Sequence, residues 1–112
     1  MTDPQILLAL YVASGLLLVA LSIPMIRGRV KPNWIYGFKV RKTVENPDIW
    51  YPANAYAGKW LLGCGVLTVV AAGAFYFIPD ISVNSYSSLC AIVLLGALTI
   101  AVWMSFRYLR TL

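Results

Sequence analysis

The sequence predicts an all-α membrane protein: three transmembrane helices, with a cytoplasmic loop containing a short interfacial helix between the first and the second. Three observations predict it. The 112 residues are 61% hydrophobic and only 12% charged, where a soluble domain carries about a quarter charged residues. So small a soluble body cannot enclose that much apolar surface, and the mean hydropathy of +0.78 is that of a chain at home in lipid. Residues 6–26, 60–78 and 86–106 form three apolar stretches without an ionised side chain in their interior, each near the ~20 residues a helix needs to cross the hydrocarbon. Open strands would leave backbone groups unpaired in lipid, so the spans are helices. The chain reads as one membrane domain, 1–112.

The first span begins Met1-Thr2-Asp3-Pro4, without a basic start and without a small-residue cleavage pattern before Pro24. It therefore reads as a mature helix and not as a signal peptide. Pro24 is expected to kink or end it, with Arg27 and Arg29 reaching for the headgroups.

Residues 27–59 form the motif loop, which holds seven of the nine basic residues. From Asn33 to Thr43 a loose alternation predicts an extended stretch with a turn at Gly37. Asn46-Pro47-Asp48 is a helix start: Asn as N-cap, Pro in the first helical position, Asp in the first turn. Trp50, Asn54 and Gly58 then recur every four residues, on one helix face. Tyr51, Tyr56 and Trp60 carry amphipathic rings suited to the membrane boundary, and Trp50 reads as an interfacial anchor. The expected element is a short helix lying on the interface, kinked at Pro52 and feeding into the second span.

Small residues mark helix contacts. Gly58, Gly65 and Ala72 repeat along the second span, Ala97, Ala101 and Ser105 along the third, and Ala9 and Ala13 in the first. Cys64 and Cys90 fall at opposite ends of their spans, too far apart in depth to bridge, and read as small packing residues.

Charge sets the orientation. Lys and Arg occur only at 27, 29, 31, 39, 41, 42, 59, 107 and 110, while the N-terminal tail and the connection 79–85 carry only Asp3 and Asp80. Basic segments stay cytoplasmic, which places the N-terminus outside and the C-terminus inside the inner membrane. Three spans independently require opposite termini. The net charge of +5 is thus a topology signal that also suits anionic lipid headgroups. No folded basic domain exists to present a nucleic-acid surface.

The run Pro32-Asn33-x-x-x-Gly37-Phe38-Lys39-x-x-x-Thr43, followed by Trp50-x-x-x-Asn54-x-x-x-Gly58, resembles the signature of the SdpI family of bacterial membrane proteins. Lys39 stands where the family usually has Arg, and Val40 where a Thr is common. Lys lacks the bidentate fork of Arg, which weakens planar anion recognition at that position. The best-known member, longer and with further spans, gives immunity against a secreted peptide toxin that attacks the membrane and also captures a transcriptional repressor. The resemblance implies a peptide toxin or a regulatory protein as partner. The bilayer, anionic headgroups and further copies of the chain complete the candidates.

Asn33, Gly37, Lys39, Arg41, Thr43, Trp50, Asn54 and Gly58 are accordingly the candidate ligand- or partner-binding residues. Two readings compete for them. Asn33, Lys39, Arg41, Lys42 and Asn54 could converge on a phosphate or carboxylate through charge-assisted hydrogen bonds. Alternatively the asparagines pin the loop, and the glycines serve backbone geometry. Glu45 is a partner for Lys42 or Arg41. The absence of histidine, of a serine beside a base and of a metal-ligand cluster argues against an enzyme, and no cofactor or metal is expected. A binding and protection protein of the immunity type is therefore favoured. The alternative is a small oligomeric transporter or channel, or a lipid-headgroup-binding protein. Transport would call for polar groups within the spans, where only Ser14, Ser22, Thr68, Thr99 and Ser105 are available.

Overall fold

The structure, a computed structural model, describes residues 2–112. It contains four helices and, among the described residues, no strand: α1 Asp3–Ile26, α2 Arg41–Val44, α3 Pro47–Tyr76 and α4 Val83–Leu109. α1, α3 and α4 are each long and apolar enough to cross a membrane. The molecule measures 51 × 23 × 18 Å, so its long axis exceeds the ~40–45 Å of a bilayer with its headgroups.

α1 and α4 start where a side chain supplies a cap. Thr2 and Gln5 form a reciprocal capping box at the head of α1, which occupies two of the backbone donors a helix leaves open at its start. The Ser82 hydroxyl accepts from the Ser85 amide at 3.0 Å and starts α4. Pro24 lies inside α1 near its end and does not break it. The helix runs two residues beyond it to Ile26, and the Arg29 amide closes back onto the Pro24 carbonyl at 2.9 Å.

α3 departs from expectation. Residues 47–59 do not form a separate helix lying on the interface; they are the first turns of one 30-residue helix. At 1.5 Å per residue this helix is about 45 Å long, so it overshoots the hydrocarbon at the end where it begins. Pro52 lies within it. The carbonyl that a proline leaves unbonded is that of the residue four earlier, here the exposed Asp48, where water can take the bond. The short helix between the first two spans is instead α2. Asn46 does sit at the N-cap of α3, but its side chain does not cap. It donates backwards to the Lys42 carbonyl at 2.9 Å.

α3 is the centre of the bundle. α1 and α4 both pack along it and touch each other little. The glycine stripe explains how. A Cβ on Gly65 would lie 2.5 Å from the Gly15 carbonyl oxygen of α1, and one on Gly58 would lie 2.9 Å from Ile26 and 3.1 Å from the Ser22 carbonyl. Backbones this close exchange dispersion that any side chain would prevent. Ala72, Ala101 and Ser105 are buried as their spacing implied, but Ala9 and Ala13 face outward. In α1 the residues at the seam are Gly15 and Ser22. At the end away from the loop, Tyr86 is 2% exposed and donates to the Ala72 carbonyl at 2.8 Å. Tyr11 of α1 donates to the Ser87 carbonyl at 3.2 Å. Cys64 and Cys90 are buried and unbridged.

Gly65→Leu should therefore separate α1 from α3 and lower the melting temperature in detergent sharply. Leu17→Ala, at a position 58% exposed, should melt near wild type. Equal melting of the two variants would show that the close seam does not hold the bundle together.

Candidate functional site

The loop between α1 and α3 folds onto the first turns of α3, and Asn54 is the post it folds around. Asn54 is 1% exposed. Its Oδ1 accepts from the Phe38 amide at 2.6 Å, and its Nδ2 donates to the Trp50 carbonyl one turn back at 2.9 Å, with a longer contact to the Phe38 carbonyl at 3.5 Å. A backbone segment with no sheet or helix of its own thus has both its polar groups met by one side chain.

Gly37 makes this approach possible. Its φ is +112°, a region other residues rarely enter. A Cβ there would lie 2.6 Å from Asn54 Oδ1 and 3.2 Å from the Trp50 ring. Trp50 is fully buried and donates from Nε1 to the Val30 carbonyl at 2.7 Å. It does not anchor at an interface, because the loop covers it. Thr43 is also fully buried. Its hydroxyl lies between the carbonyls of Phe38 at 2.7 Å and Val40 at 2.8 Å and accepts from the Val40 amide at 3.0 Å. α2 is tied to the hub in this way. Among the described residues, no buried side-chain nitrogen or oxygen lacks a partner.

Asn33 builds the preceding turn. Its Oδ1 accepts from the Ile35 and Tyr36 amides at 2.8 and 2.6 Å, and its Nδ2 donates to the Lys31 carbonyl at 2.6 Å. Residues 34–38 are therefore a chain of bends and not an extended stretch. Its tip pushes Trp34 and Ile35 outward, 59% and 89% exposed. Tyr36 turns the other way and donates from its hydroxyl to the Leu21 carbonyl of α1. Desolvation pushes this phenol above its ordinary pKa.

The cations do not join the asparagines. Lys39 is exposed. Arg41, with its side chain 85% exposed, pairs with Glu45 at 3.2 Å. Lys42 donates to the Leu109 carbonyl at 3.0 Å, at the C-terminal end of α4 where a cation is favoured. The structure thus brings together Gly37, Thr43, Trp50 and Asn54, sets Asn33 beside them, leaves Lys39 and Arg41 on the open face, and places Gly58 in the α1–α3 seam. The described residues hold no group of three His, Cys, Asp or Glu that could take a metal ion.

Three contacts had no sequence signal, because backbone carbonyls and ring pairs leave none. They are the Phe38 backbone as hub, the edge-to-face pair of Phe38 and Phe106 at 5.1 Å, and the stacked pair of Tyr56 and Tyr108 at 4.2 Å. The two ring pairs clamp the loop end of α4 against the loop and α3. Between α1 and α4, on the floor of α3, runs an apolar groove of about 360 Å³. Leu21 and Met25 form one wall, Leu61 the floor and Val102 the other wall, and Tyr36 and Phe38 of the loop close its end.

The SdpI/YfhL protein family is matched over residues 29–106, from the loop through most of α4. The chain belongs to that family. It is a multi-pass membrane protein of the SdpI type. No curated protein and no solved structure matches it.

Asn54→Ala would strand the Phe38 amide and should cost about 1–3 kcal/mol of stability, the penalty for an unmet buried group. Gly37→Ala should cost a similar amount through strain and contact with Asn54, on the order of 1–3 kcal/mol. Lys39→Ala should unfold with the wild type. Denaturant titration in detergent checks all three, and an Asn54→Ala protein as stable as wild type would remove the hub from this account.

Proposed function

We propose that this protein is a membrane-embedded binding and protection protein of the immunity type, which receives an apolar segment of a membrane-active peptide in the groove between α1 and α4. The observation that carries the reading is the shared wall: Tyr36 and Phe38, within the motif run, close the end of an apolar groove whose other walls lie inside the spans. A pocket of this kind is apolar with few polar groups, which suits a hydrophobic peptide. Membership in the SdpI/YfhL family supports the same direction. Lys39 and Arg41 then face the polar end of the ligand or a regulatory protein, while Asn33, Gly37, Thr43, Trp50, Asn54 and Gly58 hold the loop and helices in place. The reading is of a binding protein and not an enzyme.

The hydroxyls argue against conduction through the protomer. Ser14, Thr68, Thr99 and Ser105 each donate to the carbonyl four residues back, at 2.8, 2.8, 2.7 and 2.7 Å. Ser22 donates to the Val19 carbonyl at 2.7 Å. Each donates its one proton to its own helix, so these five present no hydroxyl donor to a pathway. The distribution of charge supports an orientation with the loop and C-terminus cytoplasmic and the N-terminus outside, in the inner membrane.

Two measurements test this reading. Val102→Trp fills the groove from a position 54% exposed and should leave expression and melting unchanged while abolishing protection of cells challenged with a membrane-active peptide toxin. Full protection by this variant would sink the groove reading. A cysteine at Ser85 should label from outside intact cells, and one at Val44 only after permeabilisation. Labelling of Val44 from outside would reverse the orientation.

A further inference from the structure

A second groove lies between α3 and α4, on the outer side of the bundle, and shares no lining residue with the first. Its volume is about 370 Å³. Along α3 it runs over Lys59, Gly63 and Leu67, which are spaced by four and so share one face; Cys64 and Trp60 flank them, and Ala97 and Ile100 supply the α4 side. Almost all of it is apolar, with one charge at one end.

Two observations bear on what this groove could hold. Gly63 has nothing within 4 Å of the position its Cβ would take, whereas Gly58 and Gly65 of the same helix are in close contact with α1. The missing side chain at 63 is therefore not used by any neighbouring helix; it deepens the groove. Lys59 is exposed and has no carboxylate partner, since the one ion pair among the described residues is Arg41–Glu45. Lys59 stands one turn from Gly63 towards the loop end, where α3 overshoots the hydrocarbon. Trp60 beside it is half-buried, an amphipathic ring of the kind that suits the headgroup region. Arg107 lies seven residues beyond Ile100, on the same face of α4.

We propose that this groove binds an anionic phospholipid of the leaflet at the loop end. One acyl chain lies along Gly63, Leu67, Ala97 and Ile100, and the phosphate is held by the Lys59 ammonium. Charge complementarity selects the occupant. A bare cation at the mouth of an apolar furrow open to lipid matches a molecule with a negative head and an apolar tail. A zwitterionic lipid offers the same tail but cancels the charge. The site is independent of the α1–α4 groove and of what that groove receives.

Native mass spectrometry of the protein in detergent, titrated with dioleoylphosphatidylglycerol or dioleoylphosphatidylcholine, tests the proposal. Wild type should retain one phosphatidylglycerol with a preference of about fivefold over phosphatidylcholine, the effect of one Lys near a charged surface. Inorganic phosphate should not compete, because it lacks the chain. Lys59→Gln should erase the preference while leaving chain binding, and Lys59→Arg should restore it. Gly63→Leu, into open space, should lower retention of both lipids without changing the melting temperature; Leu67→Trp fills the same groove by a second route. Equal retention of the two lipids by wild type would overturn the proposal. So would a preference that survives Lys59→Gln, or retention unaffected by both groove-filling variants. None of these outcomes depends on toxin protection, so this site and the function proposed above fail separately.

Discussion

The loop end of this protein depends on one carboxamide. Asn54 reaches from α3 to take the Phe38 amide at 2.6 Å, and the placements of Gly37, Trp50 and Thr43 are arranged around that bond. Gly37 must lack a side chain to let it form. Trp50 lies under the same strand of loop, one turn earlier on the same helix face. Thr43 ties the far side of the Phe38 peptide at 2.7 Å. A loop in a membrane protein meets a stricter rule than one in water, since backbone groups near the hydrocarbon have little solvent to turn to. Side chains borrowed from α3, α2 and the loop itself supply what a sheet ladder would supply elsewhere.

The same constraint explains why the motif residues divide into two kinds. Asn54, Thr43 and Trp50 are buried, and every polar atom they own is engaged. A saturated group has nothing to offer a ligand without giving up a bond of about 1 kcal/mol or more. In the proposed function, contact with a partner is therefore assigned to the apolar surfaces that the hub positions, Tyr36 and Phe38 on the groove, and to the cations left on the open face. In the function proposed above, the hub positions these groups.

Much of this was legible in the sequence. Three apolar stretches became three helices, and the four-residue spacing of Trp50, Asn54 and Gly58 did mark one face, which meets the loop at its start and α1 further on. Burial of Trp50 was not legible, because an indole suits an interface as well as a core, and only the fold of the loop decides between them. Continuity of α3 was hidden by Pro52, whose cost depends on whether the carbonyl it leaves free can reach water. Ala9 and Ala13 misled for a related reason: small residues permit close packing but do not cause it. Gly15, whose carbonyl approaches Gly65, is the one that α3 selects. Of the site, the pinning residues were readable by type and spacing, while the groove was not, since it exists only between helices whose mutual angle no single sequence pattern records.

The family match begins at residue 29, after α1 has ended, although α1 forms a wall of the groove and half of the closest seam. Physical reasons reconcile the two. What α1 contributes at its two critical points is backbone: the Gly15 carbonyl against Gly65, and the Leu21 carbonyl that accepts from Tyr36. Any apolar helix with one small residue at the right depth offers both. The loop and α3, by contrast, act through particular side chains, a carboxamide, an indole and a hydroxyl, each with defined donors and acceptors. Substitution at Leu21 leaves its carbonyl in place, whereas an apolar residue at 54 removes both the acceptor for the Phe38 amide and the donor to the Trp50 carbonyl. Specific sequence is therefore needed where side chains do the bonding, and mere hydrophobicity suffices where the backbone does.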